Sequence, residues 1–207
     1  MGNATIDNVE FERFIQSAFR ITGANTVVYV DPHQIEGGPP ADLILITHDH
    51  FDHMGPNAIN AVSTDKTVIV SGEKPVKELK GRVKGTLVQV SEGEATTQKG
   101  VEIRAVAGYN NYHPRGANLG FVFRVGDVAI YHGGDTGHVP EMARLGHVDV
   151  ALMPIGGTYT MDEQEAAAAV RDIRPRVAIP MHYGYATGGD PQKFSRLVGQ
   201  DSMVIII

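Results

Sequence analysis

The sequence predicts an α/β protein in which two β-sheets pack together and helices cover the outside. Three observations carry that prediction. Short runs rich in Val, Ile, Leu and Thr recur along the 207 residues, most of them bounded by Gly, Pro or Asp. Several of these runs are apolar throughout, as in strands covered on both faces. Strand signals come first in hairpin-like succession and later alternate with helical ones, which fits two packed sheets with helices outside.

The elements follow in order. Strands are expected at 26–30 (TVVYV), 43–47 (LILIT), 67–70 (TVIV), 86–90 (TLVQV) and 101–106 (VEIRAV). Others are expected at 119–125 (LGFVFRV), 128–132 (VAIYH), 148–153 (VDVALM), 177–180 (VAIP) and 203–207 (MVIII). The clearest helix is 162–173, DEQEAAAAVRDI. Asp162 can cap it, Glu165 stands three residues on as in a capping box, and Arg174-Pro175 ends it. Weaker helical patterns cover 56–62, 74–79, 140–145 and 191–198. The last four residues, Val204 to Ile207, are apolar and predict a buried final strand, with a subunit contact in a homo-oligomer as the alternative.

Composition bounds the function. With 42% hydrophobic and 20% charged residues the chain has the material for one core, expected as a single domain over 1–207. A formal charge of −6 argues against nucleic acid or an anionic membrane as partner. The absence of cysteine excludes disulfides and thiolate metal sites and fits a cytoplasmic protein. The acidic start MGNATIDNVEFERF does not read as a secretory signal, and runs such as LILI are too short to span a bilayer.

Chemistry concentrates at THDHFDH, where three histidines and two aspartates fall within six positions, 48 to 53. The run LILI leads straight into this cluster, so strand alternation puts His48 and His50 on one side. Asp52 and His53 follow as the chain turns and can face a second point. Imidazole and carboxylate are ligands for divalent metals, and one ion takes three or four of them. Two pairs therefore favour two ions, each completed from elsewhere. Asp135 (in HGGDTG) and His182 (in IPMHYG) lie just past strands, and His113 follows 101–106 at a distance. A lone histidine is more often structural, and His33, His132, His138 and His147 are read that way, with His132 and His138 flanking Asp135.

These residues, His48-x-His50-x-Asp52-His53, His113, the GDTG at 134–137 and the MHYG at 181–184, make the chain resemble the metallo-β-lactamase superfamily. Within it, SAFRI (17–21), VDP (30–32), MPIGGTYTMDEQEA (153–166) and IPMHYG (179–184) resemble a branch of small metal-dependent hydrolases related to L-ascorbate-6-phosphate lactonase. The resemblance implies a four-layer αββα sandwich with the site at one edge of the sheets. It assigns His48, His50 and His113 to one metal and Asp52, His53 and His182 to the other, with Asp135 bridging. The related branch often has a histidine where this chain has Gln16.

The expected function is hydrolysis of a small ester, lactone or phosphoester by a dinuclear centre. Two divalent ions, Zn2+ by default and Mn2+, Fe2+ or Ni2+ as alternatives, would lower the pKa of a shared water and polarise the substrate oxygen. Asp52 and Asp135 are the catalytic carboxylates, Asp52 as a proton relay. Tyr183, Arg115 and Thr158 are candidate substrate contacts; Asp49 and Asp31 are candidate supports behind the ligands. One rival reading is a nuclease, motivated by Lys74, Lys77, Lys80, Arg82 and Lys84, which more simply form a solvated helix and turn. The other is a metal-binding protein without catalysis, against which stand all seven expected ligands.

Overall fold

A computed structural model describes residues 2–207. The chain begins with four antiparallel strands, β1 (Gly2–Ile6), β2 (Val9–Arg13), β3 (Phe19–Gly23) and β4 (Thr26–Val30). Asp7 and Asn8 close the first hairpin, and Ala24 and Asn25 close the turn between β3 and β4. Their φ angles are 47°, 63°, 48° and 60°. Two successive positive φ values are what a type I′ turn requires, and its twist matches that of the flanking strands. Three strands then add in parallel: β5 (Leu43–Ile46), β6 (Val68–Ser71) and β7 (Thr86–Gln89). Helices α1 (Pro56–Val62) and α2 (Glu73–Leu79) make the crossovers, because parallel neighbours cannot be joined by a tight turn.

The second half repeats the scheme. Strands β8 (Ala95–Gln98), β9 (Val101–Gly108), β10 (Asn118–Val125) and β11 (Val128–His132) are antiparallel. Strands β12 (Val150–Pro154), β13 (Val177–Met181) and β14 (Met203–Val204) add in parallel, with α3 (Glu163–Ile173) and α4 (Pro191–Val198) in the crossovers. Each half is one seven-stranded sheet whose strands lie in chain order.

The two sheets face each other across the main core, where Phe11, Phe19, Leu43 and Leu45 meet Phe121, Phe123, Leu152 and Ile179. Burial of one such side chain stabilises the fold by roughly 1.5–3 kcal/mol. On the outer face of the first sheet Ile44, Ile46 and Ile69 pack against Ile59 and Val62 of α1 and Leu79 of α2. On the outer face of the second, Ala151 and Met153 pack against Ala166 and Val170 of α3 and Phe194 of α4. The architecture is the expected αββα sandwich. Residues with both faces covered explain the wholly buried patterns of β5, β12 and β13.

Three differences from expectation have physical reasons. Strands β1 to β3 and β8 carry outward polar residues, so their apolar content looks low although β2 and β3 alternate strictly in burial. The pattern at 140–145 forms a 3₁₀ turn over Pro140–Arg144 instead of an α-helix. The expected buried strand 203–207 is ladder only at Met203–Val204, and its residues are half-buried or exposed. Ile205 and Ile207 still pack against the inter-sheet core, which accounts for their apolar character. At α3 the capping box forms as expected: the Asp162 carboxylate accepts from Gln164 N–H (2.9 Å) and Glu165 N–H (2.8 Å), and Glu165 accepts from Asp162 N–H (3.2 Å).

Candidate metal centre

The carboxyl ends of β4, β5, β11 and β13, with the loop after β9, deliver Asp31, His48–His53, Asp135, His182 and His113 to one place. Such strand ends are where open α/β sheets leave a crevice. Asp31, fully buried, fixes the first cluster. Its carboxylate accepts from Thr47 N–H (2.8 Å) and Thr47 O–H (2.7 Å), and one oxygen lies 2.7 Å from His53 Nδ1. Asp135 follows Gly134, whose φ is +60°. A Cβ there would lie 2.3 Å from Asn118 Oδ1 and 2.8 Å from Thr47 Cβ, so the turn needs glycine. Asn118 Oδ1 accepts from Asp135 N–H at 3.0 Å, and His132 Nδ1 accepts from Gly134 N–H at 3.1 Å.

Four imidazoles share one arrangement. His48 Nδ1 is held by the Thr47 hydroxyl (3.0 Å), His53 Nδ1 by Asp31, His113 Nδ1 by Asn110 Oδ1 (3.2 Å) and His182 Nδ1 by the Thr187 hydroxyl (3.3 Å). Each ring therefore turns Nε2 inward, which is how outer partners fix a metal-binding tautomer. His50 is the exception and presents Nδ1, 3.1 Å from His48 Nε2 and 3.2 Å from His113 Nε2. Three donor sets result, the donor atoms of each within 4.8 Å of one another: His48/His50/His113, Asp52/His53/His182 and His48/His53/Asp135. Asp135 reaches both of the first two. One oxygen lies 3.2 Å from His182 Nε2 and 3.8 Å from His113 Nε2, and the other 3.2 Å from His53 Nε2.

The electrostatics are those of a buried, crowded site. Burial, helped by repulsion from His53, pushes the pKa of His48 well below the usual imidazole range. Burial likewise lowers His113, with Asp135 opposing. At His53 burial also disfavours charge, but Asp135 and Asp31 outweigh it and raise the pKa well above the ordinary value. At Asp135 burial opposes ionisation, and His53 and His182 overcome it, holding the carboxyl well below its usual range. His53 Nε2, Asp135 Oδ1 and Gln16 Oε1 are buried without a hydrogen-bond partner. Buried polar atoms ordinarily have one. Orphaned donors converging from nitrogen and oxygen ligands fit a divalent cation between them.

Comparison with known proteins agrees with this geometry. A family model of the β-lactamase superfamily domain matches residues 11–182. This chain belongs to the β-lactamase superfamily. It is 34% identical to the UPF0173 metal-dependent hydrolase of Thermococcus onnurineus, over 100% of this chain and 94% of that protein. It shares 29% identity with a Parabacteroides distasonis protein of known crystal structure, at a TM-score of 0.89 over 99% of this chain and 97% of that one. It shares 27% identity with Igni18, a metallo hydrolase from Ignicoccus hospitalis, at a TM-score of 0.82 over 96% and 94% of the two chains. The superfamily resemblance expected from the histidine and aspartate motifs is therefore shown, and the αββα fold with it.

In this superfamily member the structure brings together all seven expected ligands and Asp31. Asp49 points away from them and pairs with Lys74 of α2. Three expected substrate contacts are not brought to the cavity over the ligands. Arg115 pairs with Glu92 and with Glu141 (2.8 Å), so its charge is engaged on the outer surface. Tyr183 lies under the Arg13 guanidinium, 3.9 Å from ring centre to Cζ, and its hydroxyl is directed to the Ile207 carbonyl (3.4 Å). Thr158 is exposed outside the lining. The cavity measures about 380 Å³ and is walled instead by Gln16, Phe51, Tyr112, Tyr159, Ala186 and Thr187, together with ligand side chains. Gln16 is the residue that sequence reasoning underrated. Its side-chain amide nitrogen donates to Asp52 Oδ2 (3.1 Å) and lies 3.3 Å from His182 Nε2, while its backbone carbonyl accepts from His182 N–H (2.9 Å).

Proposed function

We propose that this protein is a dinuclear metal-dependent hydrolase acting on a small ester, lactone or phosphoester. One observation carries the reading: two separate donor sets, His48/His50/His113 and Asp52/His53/His182, flank a carboxylate, Asp135, that reaches both. The set holds nitrogen and oxygen donors only, which suits zinc first and also manganese, iron or nickel. When bound, such ions acidify water toward neutral pH and polarise a substrate oxygen.

The residues of the chain do the rest. His48, His50 and His113 would hold one ion, and Asp52, His53 and His182 the other. Asp135, kept ionised by His53 and His182, would supply negative charge shared between them. Asp52 lines the cavity and its Oδ2 is oriented by Gln16, so it is placed to take a proton from the nucleophile or return one to the leaving group. Gln16 is a positioning residue, since it acts through Asp52 and His182. The loop packing at His182 is close: a Cβ at Gly156 would lie 2.6 Å from the His182 carbonyl.

The test pairs metal analysis with catalysis. Protein purified without chelator should carry about two ions per chain, and His48→Ala about one. The same substitution should lower hydrolysis across a panel of esters, lactones and phosphodiesters by at least ~100-fold. Unchanged hydrolysis of every substrate would sink catalysis at this centre.

A further inference from the structure

The mouth of the cavity has a character that the metal ligands do not explain. Six large hydrophobic side chains are exposed among the described residues, and three of them, Phe51, Tyr112 and Tyr159, line this one cavity. They are 72%, 59% and 47% exposed. Single exposed apolar residues are ordinary, but clustering at one concave site is not. Each comes from a different loop: Phe51 from the turn after β5, Tyr112 from the loop after β9 and Tyr159 from the loop after β12. Tyr112 and Tyr159 meet edge to face with ring centres 5.0 Å apart. Phe51 lies edge-on to His33, ring centres 6.0 Å apart. The small residues Ala186 and Thr187 line the same cavity.

Charge is arranged to match. The lining contains no lysine or arginine among the described residues. The nearby Arg115 is engaged by Glu92 and Glu141, and Lys74 by Asp49. A substrate tail bearing phosphate or carboxylate would find no cation at the rim, while Asp52 faces the same space.

We propose that the substrate of this site carries an uncharged aromatic or apolar group beside its scissile bond, and that Phe51, Tyr112 and Tyr159 bind it. The proposal rests on the metal centre described above, which would hold the reacting end. Aromatic walls supply large contact area at low entropic cost, and edge-to-face partners add to it. A volume of about 380 Å³ accommodates one ring next to a reacting carbonyl or phosphoryl group.

Three hydroxamates test this without knowledge of the bond cleaved, because the hydroxamate group binds metal and only the tail differs. Acetohydroxamate, phenylacetohydroxamate and the monohydroxamate of succinate are titrated into metal-loaded protein by calorimetry. The phenyl probe should bind at least about tenfold tighter than acetohydroxamate, and the carboxylate probe no tighter than acetohydroxamate. In the triple variant Phe51→Ala/Tyr112→Ala/Tyr159→Ala the phenyl advantage should fall to about threefold or less, with metal content and acetohydroxamate affinity retained. Phe51→Ala alone should lower the advantage measurably and serves if the triple variant does not fold. Equal affinities, a preference for the carboxylate probe, an advantage that survives the substitutions, or no binding by metal-loaded protein would each overturn the inference and leave the metal centre standing. Protein that retains no metal would overturn both.

Discussion

Asp31 shows how much of a metal site lies behind its ligands. It is fully buried, holds a left-handed φ of 46°, and uses its two oxygens on Thr47 and His53. Gln16 (φ 52°) and His182 (φ 56°) share that uncommon conformation and are joined by a hydrogen bond. Non-glycine residues held there cost free energy and persist where the surroundings fix them. Replacing Asp31 by Asn keeps the shape but removes the charge that orients His53. Metal affinity, measured by competition with a chelator, should fall by roughly 10–100-fold. Unchanged affinity would separate Asp31 from the centre. The ligands were legible because their residue types and strand-end positions signal metal binding. Gln16 was not, because an amide 36 residues from Asp52 and 166 from His182 gives no such signal. For Arg115 the sequence shows a charge beside His113, read either as a substrate contact or as a solvated loop charge; its pairing with Glu92 and Glu141 favours the second.

Among the elements, α3 has the most to test. Its capping box satisfies N–H groups that the helix itself leaves unpaired. Asp162→Ala should lower stability by about 1 kcal/mol, read as a lower urea midpoint at unchanged slope. Glu163, in the first turn, accepts from Asp190 N–H (2.8 Å) and from Lys193 (2.9 Å), tying α3 to α4. Its slight burial opposes ionisation, but these bonds outweigh it and lower the pKa. A carboxylate with a lowered folded-state pKa stabilises above its unfolded pKa of about 4.3, and that contribution is lost as pH falls through the folded value. Glu163→Gln should therefore destabilise at pH 7 and lose its effect at a pH acid enough to protonate Glu163 in the folded state. An equal effect at both pH values would rule out the ionic contribution. Lys193 is about half exposed and solvent screens the pair from that side, so the effect is expected below about 1 kcal/mol. The capping box could be read from DEQE. The hairpin of β1 and β2 could have been, since VEFER alternates and Asp7-Asn8 suits a type I′ turn; the Ala24-Asn25 turn carried no comparable signal.

At the scale of the whole molecule, the centre joins the two sheets. Asp31, His48, His50, Asp52 and His53 belong to the first half, and His113, Asp135 and His182 to the second. Ions held by both would bind the folded state only, and so stabilise it by mass action. Stripping the protein with a chelator should lower its thermal midpoint, and stoichiometric metal should restore it; at a free metal concentration ~1,000 times Kd the gain is about 4 kcal/mol. A midpoint indifferent to metal would contradict a centre shared by both halves. The sandwich itself was legible from the alternation of strand and helix signals. The symmetry of the halves resides in pairing order and not in any repeated stretch of sequence.

That pairing order has a consequence for how the chain is completed. Within each sheet every strand hydrogen-bonds to its neighbour in the chain, so each sheet can zip up locally as it is made. A chain finished only as far as β7 would own the crowded histidines of the first half but none of their partners. On the proposed ligand assignment, high affinity arrives only when His182, 25 residues before the last, comes into place. Tight metal capture then reports a finished fold: the ion acts as an inspector of assembly, and half-made chains have little with which to hoard it.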